Sequence, residues 1–539
     1  MGGIKYLYVL LLYVVVLDAQ IERWVFTYDD PLNNVDEALS IDYGLDGNIY
    51  AAGYSYNNGL DFNFTAVSLS TSGTARWYYW DDYPYFNSAY SVICGSDSNI
   101  YLAGKAYRFT QTSGDFYVVS LTPAGDARWS YRYNGPADSI DQAKVITYGL
   151  DGNIYAAGRS VGSGTGDDFT VVSLTSSGTE RWVYRYNGPG NGGDEATSLV
   201  YGSDGNVYIA GETMGSGTDA DFTVISLNTS GQERWIYTYN GSGDSIDLAS
   251  SLIYGLDGNI YIAGRSYDNV YSFTVISLDT SGNERWIYKY NGPGNSHAIA
   301  YSLVYGLDNY IYVAGASIQN GSWDLTVISL DTLGNEQWVY TWNGAGNSTD
   351  AAYSIVYGLD SNLYAAGRTF GGYTTYWDGV VVSLTNTGRE RWVYKYNGPG
   401  NGGELFGDGF RSLVYGLDHN IYVAGTSYGW SLDFLVVSLT STTEVEEQSS
   451  ISESKDDFAI LSSFFNREIT IKFSTTSNNN LKIILYNSLG SIVYETSMSY
   501  TPSLLSLADE AISKLPKGIY FLSITNNEKI YPAKKLIKL

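Results

Sequence analysis

The sequence predicts an all-β fold, and three observations support that prediction. The 539 residues include 60 Gly and 52 Tyr, an abundance that is typical of turn-rich β proteins. Short runs of Val, Ile, Tyr and Trp alternate with clusters of Gly, Asp, Asn and Ser, as strands alternate with turns. The same pattern of runs recurs along most of the chain, with one Trp at spacings of 51 to 54 residues.

One repeat, Asp194–Gly241, shows how the pattern is built. Its apolar runs are too short for helices and have no helical period. Tight turns separate the runs, because the Gly and Asn of Asp204-Gly205-Asn206 tolerate a positive φ. The unit is therefore predicted to be a four-stranded antiparallel meander, with strands at Ala196–Tyr201, Asn206–Gly211, Phe222–Leu227 and Arg234–Tyr239.

Two positions mark the repeats. The fourth run carries a Trp, at Trp24, Trp77, Trp129, Trp182, Trp235, Trp286, Trp338 and Trp392. The second run carries a Gly, at Gly53, Gly104, Gly158, Gly211, Gly264, Gly315, Gly367 and Gly425. A fixed period of this length indicates one supersecondary unit that is repeated to build a common core.

The phase of the repeats predicts that they close into a ring. The chain enters with a strand of the fourth type, Arg23–Tyr28, and leaves with a strand of the third type, Asp433–Leu439. Each end supplies what the other lacks, whereas an open stack would leave both ends unpaired. Residues 20–440 are therefore predicted to form an eight-bladed β-propeller of four-stranded blades, in which the N-terminal strand closes the last blade.

The repeats resemble the bacterial β-propeller repeats known as SBBP repeats. The matching pattern is Asp-x-Ala, Asp-Gly-Asn-x-Tyr-x-x-Gly, Asp-Phe, Gly-x-x-x-Trp and Tyr-Asn-Gly, over residues 21–440. This resemblance implies the propeller fold and no particular activity, because the family is defined by its repeats.

The N-terminal residues 1–19 have the layout of a secretory signal peptide. Lys5 is followed by the apolar run Tyr6–Leu17 and then by Asp18 and Ala19, which gives a charged start, a short apolar core and a small residue before a cleavage site. A membrane anchor is the alternative, but the run is short for a membrane span. Removal of this segment is expected to leave no stable membrane span.

Residues 441–457 and 458–539 differ from the repeats. The first segment is acidic and rich in Ser, as flexible linkers are. The second is basic and lacks Trp, and its apolar runs predict a small C-terminal β-sandwich. The predicted strands are Glu468–Phe473, Leu481–Tyr486, Ser491–Tyr494, Gly518–Ile524 and Lys534–Leu539.

Residues 458–539 resemble the type A sorting domain of the type IX secretion system. The residues that carry this resemblance are Asn466 through Phe473, 482–487 (KIILYN) with Gly490, 517–520 (KGIY) and 534–539 (KKLIKL). Ser497–Glu510 departs from the family pattern as an insert. The resemblance implies that residues 458–539 contact the type IX secretion machinery. It also implies that the protein is secreted, or held on the outer cell surface, by a Gram-negative-type bacterium.

The charge and the residue types exclude several functions. The formal net charge is −26, and phosphate binding needs a basic surface, so nucleic acid is not an expected partner. His297 and His419 are predicted to lie on opposite faces of the ring, so neither a His-based metal site nor a Ser-His-Asp triad is expected. Cys94 lies in an apolar run and is expected to be an inert, buried thiol. No cofactor, metal or catalytic residue is predicted.

The loops between second and third strands vary in length and composition, and variable loops on a rigid scaffold often carry recognition. We expect any glycan or protein ligand to bind on this face, although loops that merely drift are an equal alternative. Four cations stand where these loops begin, and scattered solvated charges are the alternative to a cationic rim for acidic glycans. The candidate ligand-binding residues are Lys105, Arg159, Arg265, Arg368 and Trp377.

A set of acids precedes the first strands of most repeats: Asp36, Asp141, Asp194, Asp247, Asp350 and Asp408, with Asn87 and Ala298 in the other two places. Ca²⁺ needs six to eight oxygen ligands, and each repeat offers one carboxylate. Hydrogen bonds from these acids to backbone amides are therefore the favoured interpretation. The Asp-Gly-Asn turns lack EF-hand spacing and are likewise interpreted as turn chemistry.

Three functions are compatible with the sequence. The first is a non-catalytic binding or adhesion module, so the protein is not expected to be an enzyme. The second is a carboxylate-dependent enzyme acting on polysaccharides, because paired acids leave no spacing signature. The third is a structural component of a surface layer.

Overall fold

The computed structural model describes residues 21–29, 34–57, 61–81, 86–107, 113–372, 374–401 and 407–441 of the repeat region, and short segments between 458 and 538. The predicted signal peptide and most of the predicted linker lie outside the described residues. The chain divides into two compact units, Met1–Ser441 and Thr442–Leu539.

The first unit contains eight four-stranded antiparallel sheets, which we number as blades 1 to 8. Blade 1 contains β2 (Glu37–Tyr43), β3 (Ile49–Asn57), β4 (Asp61–Leu69) and β5 (Ala75–Asp81). Blade 2 contains β6 (Ser88–Cys94), β7 (Ile100–Tyr107), β8 (Gly114–Leu121) and β9 (Ala127–Tyr133). Blade 3 contains β10 (Asp141–Tyr148), β11 (Ile154–Val161), β12 (Asp167–Leu174) and β13 (Glu180–Tyr186). Blade 4 contains β14 (Glu195–Tyr201), β15 (Val207–Met214), β16 (Ala220–Leu227) and β17 (Glu233–Tyr239).

The remaining blades repeat this order until the last one. Blade 5 contains β18 (Leu248–Tyr254), β19 (Ile260–Tyr267), β20 (Tyr271–Leu278) and β21 (Glu284–Tyr290). Blade 6 contains β22 (Ala298–Tyr305), β23 (Tyr310–Gln319), β24 (Ser322–Asp331) and β25 (Glu336–Trp342). Blade 7 contains β26 (Asp350–Tyr357), β27 (Asn362–Gly372), β28 (Tyr376–Thr385) and β29 (Glu390–Tyr396). Blade 8 contains β30 (Gly409–Tyr415), β31 (Asn420–Tyr428), β32 (Leu432–Thr440) and, as its outer strand, β1 (Glu22–Tyr28).

The ring closes as the phase of the repeats predicts. β1 pairs antiparallel with β32, so that Trp24 lies opposite Ser438 and Tyr28 lies opposite Phe434. The first strand of each blade contacts the first strand of the next, and the first strand of blade 8 contacts that of blade 1. This arrangement of eight sheets is consistent with an eight-bladed β-propeller.

Neighbouring blades are joined by aromatic side chains. In blade 4 the Trp235 indole packs against Tyr208, with ring centroids 5.9 Å apart, and its Nε1 donates to Thr280 O of blade 5 at 3.0 Å. The corresponding Trp makes this bond in the other blades except blade 7. There Trp392 precedes the blade whose outer strand comes from the N-terminus, and its Nε1 has no partner among the described residues.

The first strand of each blade carries a β-bulge at the same position. In blade 4 the register shifts between Ala196 and Ser198, which leaves Thr197 outside the ladder. A bulge of this kind re-aims one side chain and bends the strand. The bulged residues of the eight blades are Leu39, Tyr90, Lys144, Thr197, Ser250, Tyr301, Tyr353 and Arg411.

The second unit contains a three-stranded and a five-stranded sheet within its described residues. Side chains from both sheets share one hydrophobic cluster. The predicted sandwich itself remains a prediction. The strands are β33 (Phe458–Ile460), β34 (Phe464–Phe465), β35 (Ile469–Phe473), β36 (Leu481–Asn487), β37 (Ile492–Met498), β38 (Leu504–Leu507), β39 (Gly518–Asn526) and β40 (Lys534–Lys538), with one helix, α1 (Glu510–Lys514).

The segment read from the sequence as an insert, Ser497–Glu510, is more regular than expected. β37 continues into it, β38 lies within it, and α1 begins at its last residue. The helix is held from the C-terminal strand, because the buried Lys538 Nζ donates to Ile512 O at 3.0 Å and to Ser513 O at 3.1 Å. A cation at a helix C-terminus also complements the helix dipole.

A candidate ligand-binding site at the channel mouth

The bulges bring side chains of different blades together around the centre of the ring. Lys144 Nζ of blade 3 lies 5.2 Å from the ring centroid of Tyr90 in blade 2. The rings of Tyr301 and Tyr353, in blades 6 and 7, are 5.2 Å apart. Arg411 of blade 8 lies over Tyr353 at 5.8 Å. We call this end of the central channel, which is lined by the start of the first strands and the end of the second strands, the channel mouth.

The four predicted cations lie at one structural position of the channel mouth. Each belongs to the second strand of its blade and pairs with a first-strand residue two places before the bulge. They are therefore strand residues, although the sequence suggested that they begin the loops. The pairs are Lys105 with Ser88, Arg159 with Gln142, Arg265 with Leu248, and Arg368 with Ala351.

An open pocket lies where blades 7, 8 and 1 meet, and it contains two of the predicted residues. The Arg368 guanidinium stacks over the Trp377 ring at 4.2 Å and lies 5.7 Å from the Tyr353 ring. Arg411 Nε donates to Glu37 Oε1 at 2.8 Å, on the other side of the pocket. The wall is completed by Phe410, Thr426, Leu432 and the backbone of residues 407–409.

A second cluster joins blades 3 and 4. Glu195 accepts a hydrogen bond from Gln142 Nε2 at 3.0 Å. Lys144 Nζ and Arg159 Nε each lie 3.5 Å from the same carboxylate oxygen of Glu195, and Arg159 Nη1 also pairs with Asp167 at 2.8 Å. Arg159, another predicted ligand-binding residue, is therefore already neutralised by acids of the protein.

Glu212 lies directly across the ladder from Glu195. Burial raises the pKa of Glu212 to about 7, and the Glu195 carboxylate adds to the rise, while Arg265 and Arg159 oppose it. The two neighbouring carboxyl groups thus differ in environment, because the Glu195 carboxylate is held by cations and the Glu212 carboxyl is held partly neutral. Such a difference is what separates acid from base in carboxylate-dependent catalysis.

The other two predicted cations pack against aromatic rings. The Arg265 guanidinium lies 4.9 Å from the Tyr271 ring, and Lys105 Nζ lies 5.3 Å from the Tyr107 ring. Burial lowers the pKa of Lys105, and the nearby positive charges of Arg159 and Lys144 lower it further. Lys105 therefore lies near two other cations in a chain whose net charge is −26.

The acids that precede the first strands bind backbone amides, as favoured from the sequence. The buried Asp194 accepts from Gly188 N at 2.6 Å and from Met214 N at 2.7 Å. Burial raises its pKa to about 6 in spite of these two bonds. In blade 6, which has Ala298 at this position, the backbone carbonyls of Ser296 and His297 accept the corresponding amides instead.

Metal and His chemistry find no support among the described residues. They contain no group of three or more His, Cys, Asp or Glu side chains that could hold a metal ion. His297 Nδ1 accepts from Tyr271 N at 3.0 Å, while His419 contacts Tyr415 at the opposite end of its blade. The half-buried Cys94 has a thiol pKa that is raised by burial and by Asp42, which disfavours the reactive thiolate.

Several residues of the site were missed from the sequence. Tyr301, Tyr353 and Arg411 reach the mouth because of the bulge, which the sequence did not predict. Trp430, which is 93% exposed in a loop of the variable face, does not line the pocket. A non-repeating aromatic or cation one residue past Asp-x-Ala is the signal that could have identified the bulged positions.

Residues 465–539 match the family described as the secretion system C-terminal sorting domain. This segment is a sorting domain of the type IX secretion system. The sorting domain shows that the chain is secreted to the cell surface, as in Bacteroidetes-type bacteria, and it implies an interaction with the secretion machinery. Within the part of the chain that the structure describes, no helix combines the length and hydrophobicity that a membrane crossing requires.

Two solved structures have a similar fold at low sequence identity. Two crystal structures of Sqt1 from Chaetomium thermophilum are each 11% identical, with TM-scores of 0.50 and 0.51. They cover 80% and 78% of this chain and 99% of their own. PorZ, described as a surface component of the type IX secretion system of Porphyromonas gingivalis, is 10% identical. It covers 95% of this chain and 76% of its own, with a TM-score of 0.31. No curated protein matches the chain.

Proposed function

We propose that this chain is a non-catalytic binding module of the cell surface, in which an eight-bladed propeller of SBBP-type repeats holds a glycan or protein ligand at the channel mouth. In this proposal a small C-terminal β-sandwich serves only for export. The observation that carries the proposal is the pocket between blades 7, 8 and 1, where Arg368, Trp377, Tyr353 and Arg411 meet.

The chemistry of the pocket supports recognition. Ligand sites combine apolar and aromatic walls with a few fixed polar groups. Here Trp377 and Phe410 supply the apolar wall, and the Arg411 guanidinium is fixed by Glu37. The side chain of Arg411 is 45% exposed, so it remains accessible to a ligand.

The test is binding of the full chain to glycan and surface-protein arrays. Trp377→Ala removes one wall of the pocket and the ring that supports Arg368. It should weaken binding by about tenfold or more, as for a buried aromatic anchor. Trp80→Ala is the matched control, because Trp80 is a partly exposed Trp on the outer strand of blade 1 and does not line the pocket.

Two outcomes would contradict the proposal. Equal loss of binding in both Trp variants would place the ligand elsewhere or indicate general unfolding, which thermal melts would distinguish. Failure of the wild-type chain to bind anything on either array would favour the structural role in a surface layer.

A second function is favoured by one observation, the Glu195–Glu212 pair. A partly neutral carboxyl beside a carboxyl group that is paired with cations is an arrangement that polysaccharide hydrolysis can use. If the chain cleaves glycans, Glu212→Gln should abolish release of reducing sugars while Trp80→Ala leaves it intact. Absence of release from mixed polysaccharides by the wild-type chain would leave the binding role as the better account.

A further inference from the structure

Cations are concentrated at the channel mouth of an otherwise acidic chain. Residues 21–441 contain nineteen Lys and Arg residues in a protein whose net charge is −26. Six of the nineteen lie on the first and second strands that line the mouth, and they share it with the carboxyl groups of Glu37, Glu195 and Glu212. The six cations are Lys105, Lys144, Arg159, Arg265, Arg368 and Arg411.

Half of these cations are already neutralised within the protein. Lys144 and Arg159 pair with Glu195, and Arg411 pairs with Glu37. Lys105, Arg265 and Arg368 form no ion pair with any described residue. Three of the six cations therefore have no ion pair, and two of them, Arg265 and Arg368, flank blade 6. The Arg265 charge also acts on the Glu212 carboxyl of blade 4, on the side away from blade 6.

Arg265 and Arg368 are fixed in similar ways on either side of blade 6. Arg265 stacks over Tyr271 at 4.9 Å, and Arg368 stacks over Trp377 at 4.2 Å. Stacking occupies the flat face of a guanidinium and leaves its N–H groups pointing outward in the plane. The buried Nε of each arginine has no hydrogen-bond partner among the described residues, and an unmet buried donor is costly.

Blade 6 places no cation between the two arginines. Its residue at the same position is the small Ala316, which pairs with Ile299. The bulged Tyr301 stands between the arginines, whose charges both act on its hydroxyl, and it packs edge-on against Tyr353 at 5.2 Å. The result is a cradle in which a guanidinium lies on each side of the Tyr301 and Tyr353 rings.

We infer that the cradle formed by Arg265, Tyr301, Tyr353 and Arg368 binds the carboxylate of an acidic sugar. This inference rests on the proposed binding function and names its ligand class. Guanidinium groups recognise carboxylates through paired N–H donors, and the C–H face of a pyranose packs on aromatic rings. The acidic remainder of the chain repels long polyanions, so a ligand that brings one or two carboxylates into the mouth fits better than nucleic acid.

The experiment is isothermal titration calorimetry on the full chain with three probes. They are a uronic-acid tetrasaccharide, the same tetrasaccharide with its carboxyls reduced to alcohols, and an acidic peptide of similar charge. The variants are Arg265→Gln and Arg368→Gln. Arg389→Gln is the matched control, because Arg389 lies in an exposed turn at the opposite end of blade 7.

Wild-type chain should bind the uronate about tenfold or more tightly than the reduced sugar, which is the loss expected for one charge-assisted contact. Each cradle variant should weaken uronate binding about tenfold or more and leave binding of the reduced sugar within about twofold. Arg389→Gln should bind like the wild type. If Arg265→Gln does not fold, Arg265→Lys keeps the charge without the planar fork and should still weaken uronate binding.

The outcomes separate this inference from the proposed function. Equal binding of the uronate and the reduced sugar, or unchanged uronate binding in both cradle variants, would overturn the carboxylate site and leave a neutral-glycan module standing. Tighter binding of the peptide would overturn the glycan class. If no probe or array ligand binds at all, both the inference and the proposed function fail.

Discussion

The two ends of the ring differ in how much they vary from blade to blade. At the turn end, every blade has a Tyr hydroxyl that donates to the turn Asp, as Tyr208 does to Asp204 at 2.6 Å. An Arg of the fourth strand joins this pair in seven of the eight blades, as Arg234 does at 3.2 Å from Tyr208. At the channel mouth, the bulged side chain changes among Leu, Tyr, Lys, Thr, Ser and Arg from blade to blade.

This difference indicates that the turn end stabilises the fold and the mouth carries recognition. A hydrogen-bond network that is repeated in each blade contributes the same increment of stability to each. Side chains at the mouth differ between blades that keep the same strand order and the same bulge, so the fold tolerates their variation. Substitutions at the two ends should therefore separate stability from binding.

The largest effect is expected where the second strand approaches the first. A Cβ at Gly211 would lie 2.0 Å from Glu195 O, so Gly211→Ala forces two backbones apart. We expect a loss of at least about 3 kcal/mol in the free energy of unfolding. Gly193→Ala is the control, because a Cβ there meets nothing within 4 Å, and it should change stability by less than about 0.5 kcal/mol. Chemical denaturation measures both, and equal effects would contradict the packing argument.

The next effect is a dependence of stability on pH. Burial raises the pKa of Asp194 and of Asp408 to about 6. Burial, with a smaller contribution from nearby carboxylates, raises the pKa of Asp433 to about 7. The folded chain therefore holds protons that the unfolded chain releases, and stability falls as pH rises from about 4 to about 7. The Tm should be several degrees higher at about pH 5 than at about pH 7.5.

Asp194→Asn tests the origin of this pH dependence. The variant removes one titrating group, so it should reduce the slope of Tm against pH even if it lowers Tm at every pH. A higher Tm at neutral pH than at acidic pH in the wild-type chain would show that other ionisations dominate.

The hydrogen bonds of the Asp-Gly-Asn turns should contribute measurably to stability. Asp204 accepts from Asn206 N at 3.1 Å, from Asn206 Nδ2 at 2.9 Å and from the Tyr208 hydroxyl. Asp204→Ala leaves these donors unmet and should cost about 1 to 3 kcal/mol. Asp219 is exposed, and no described residue bonds its side chain, so Asp219→Ala should be nearly neutral in the same urea titration. Similar costs for both would undermine the role assigned to the turn end.

The smallest effect compares the same substitution at the two ends. Arg234→Gln loses bonds to Ser226 Oγ, Tyr208 and Thr280 O and should cost about 1 kcal/mol, since blade 6 already carries Gln337 at this position. Arg265→Gln at the mouth should change stability by less than about 0.5 kcal/mol. A larger loss for Arg265→Gln, measured by thermal unfolding, would mean that the mouth also stabilises the fold.

Much of the fold was predictable because strand type is written into each repeat. The closing strand was placed at Arg23–Tyr28 and observed at Glu22–Tyr28, since Trp24 fixes its type. The second strands were predicted too short. The apolar run predicts a strand that ends at Gly211, whereas β15 continues to Met214. The additional residues stay in the strand because they pair with the third strand, although they do not continue the apolar run.

The candidate site was predictable only in part. Arg368 and Trp377 could be predicted to lie close together because they stand at the two ends of one variable loop. The contacts of Glu195 with Lys144 and Arg159 depend on the spacing between blades, which a single repeat does not encode. The bulge depends on the approach of a second-strand Gly to a first-strand carbonyl, and that contact is not visible in the pattern of apolar residues.

The pairing of β1 with β32 has a consequence for biogenesis. The two strands lie at opposite ends of the repeat region, so a product of translation or proteolysis that lacks either strand cannot close the ring. The sorting domain follows β32 in the chain. A polypeptide whose synthesis has reached the sorting domain therefore already contains every blade. The order of these segments thus links secretion to the presence of both strands that close the ring.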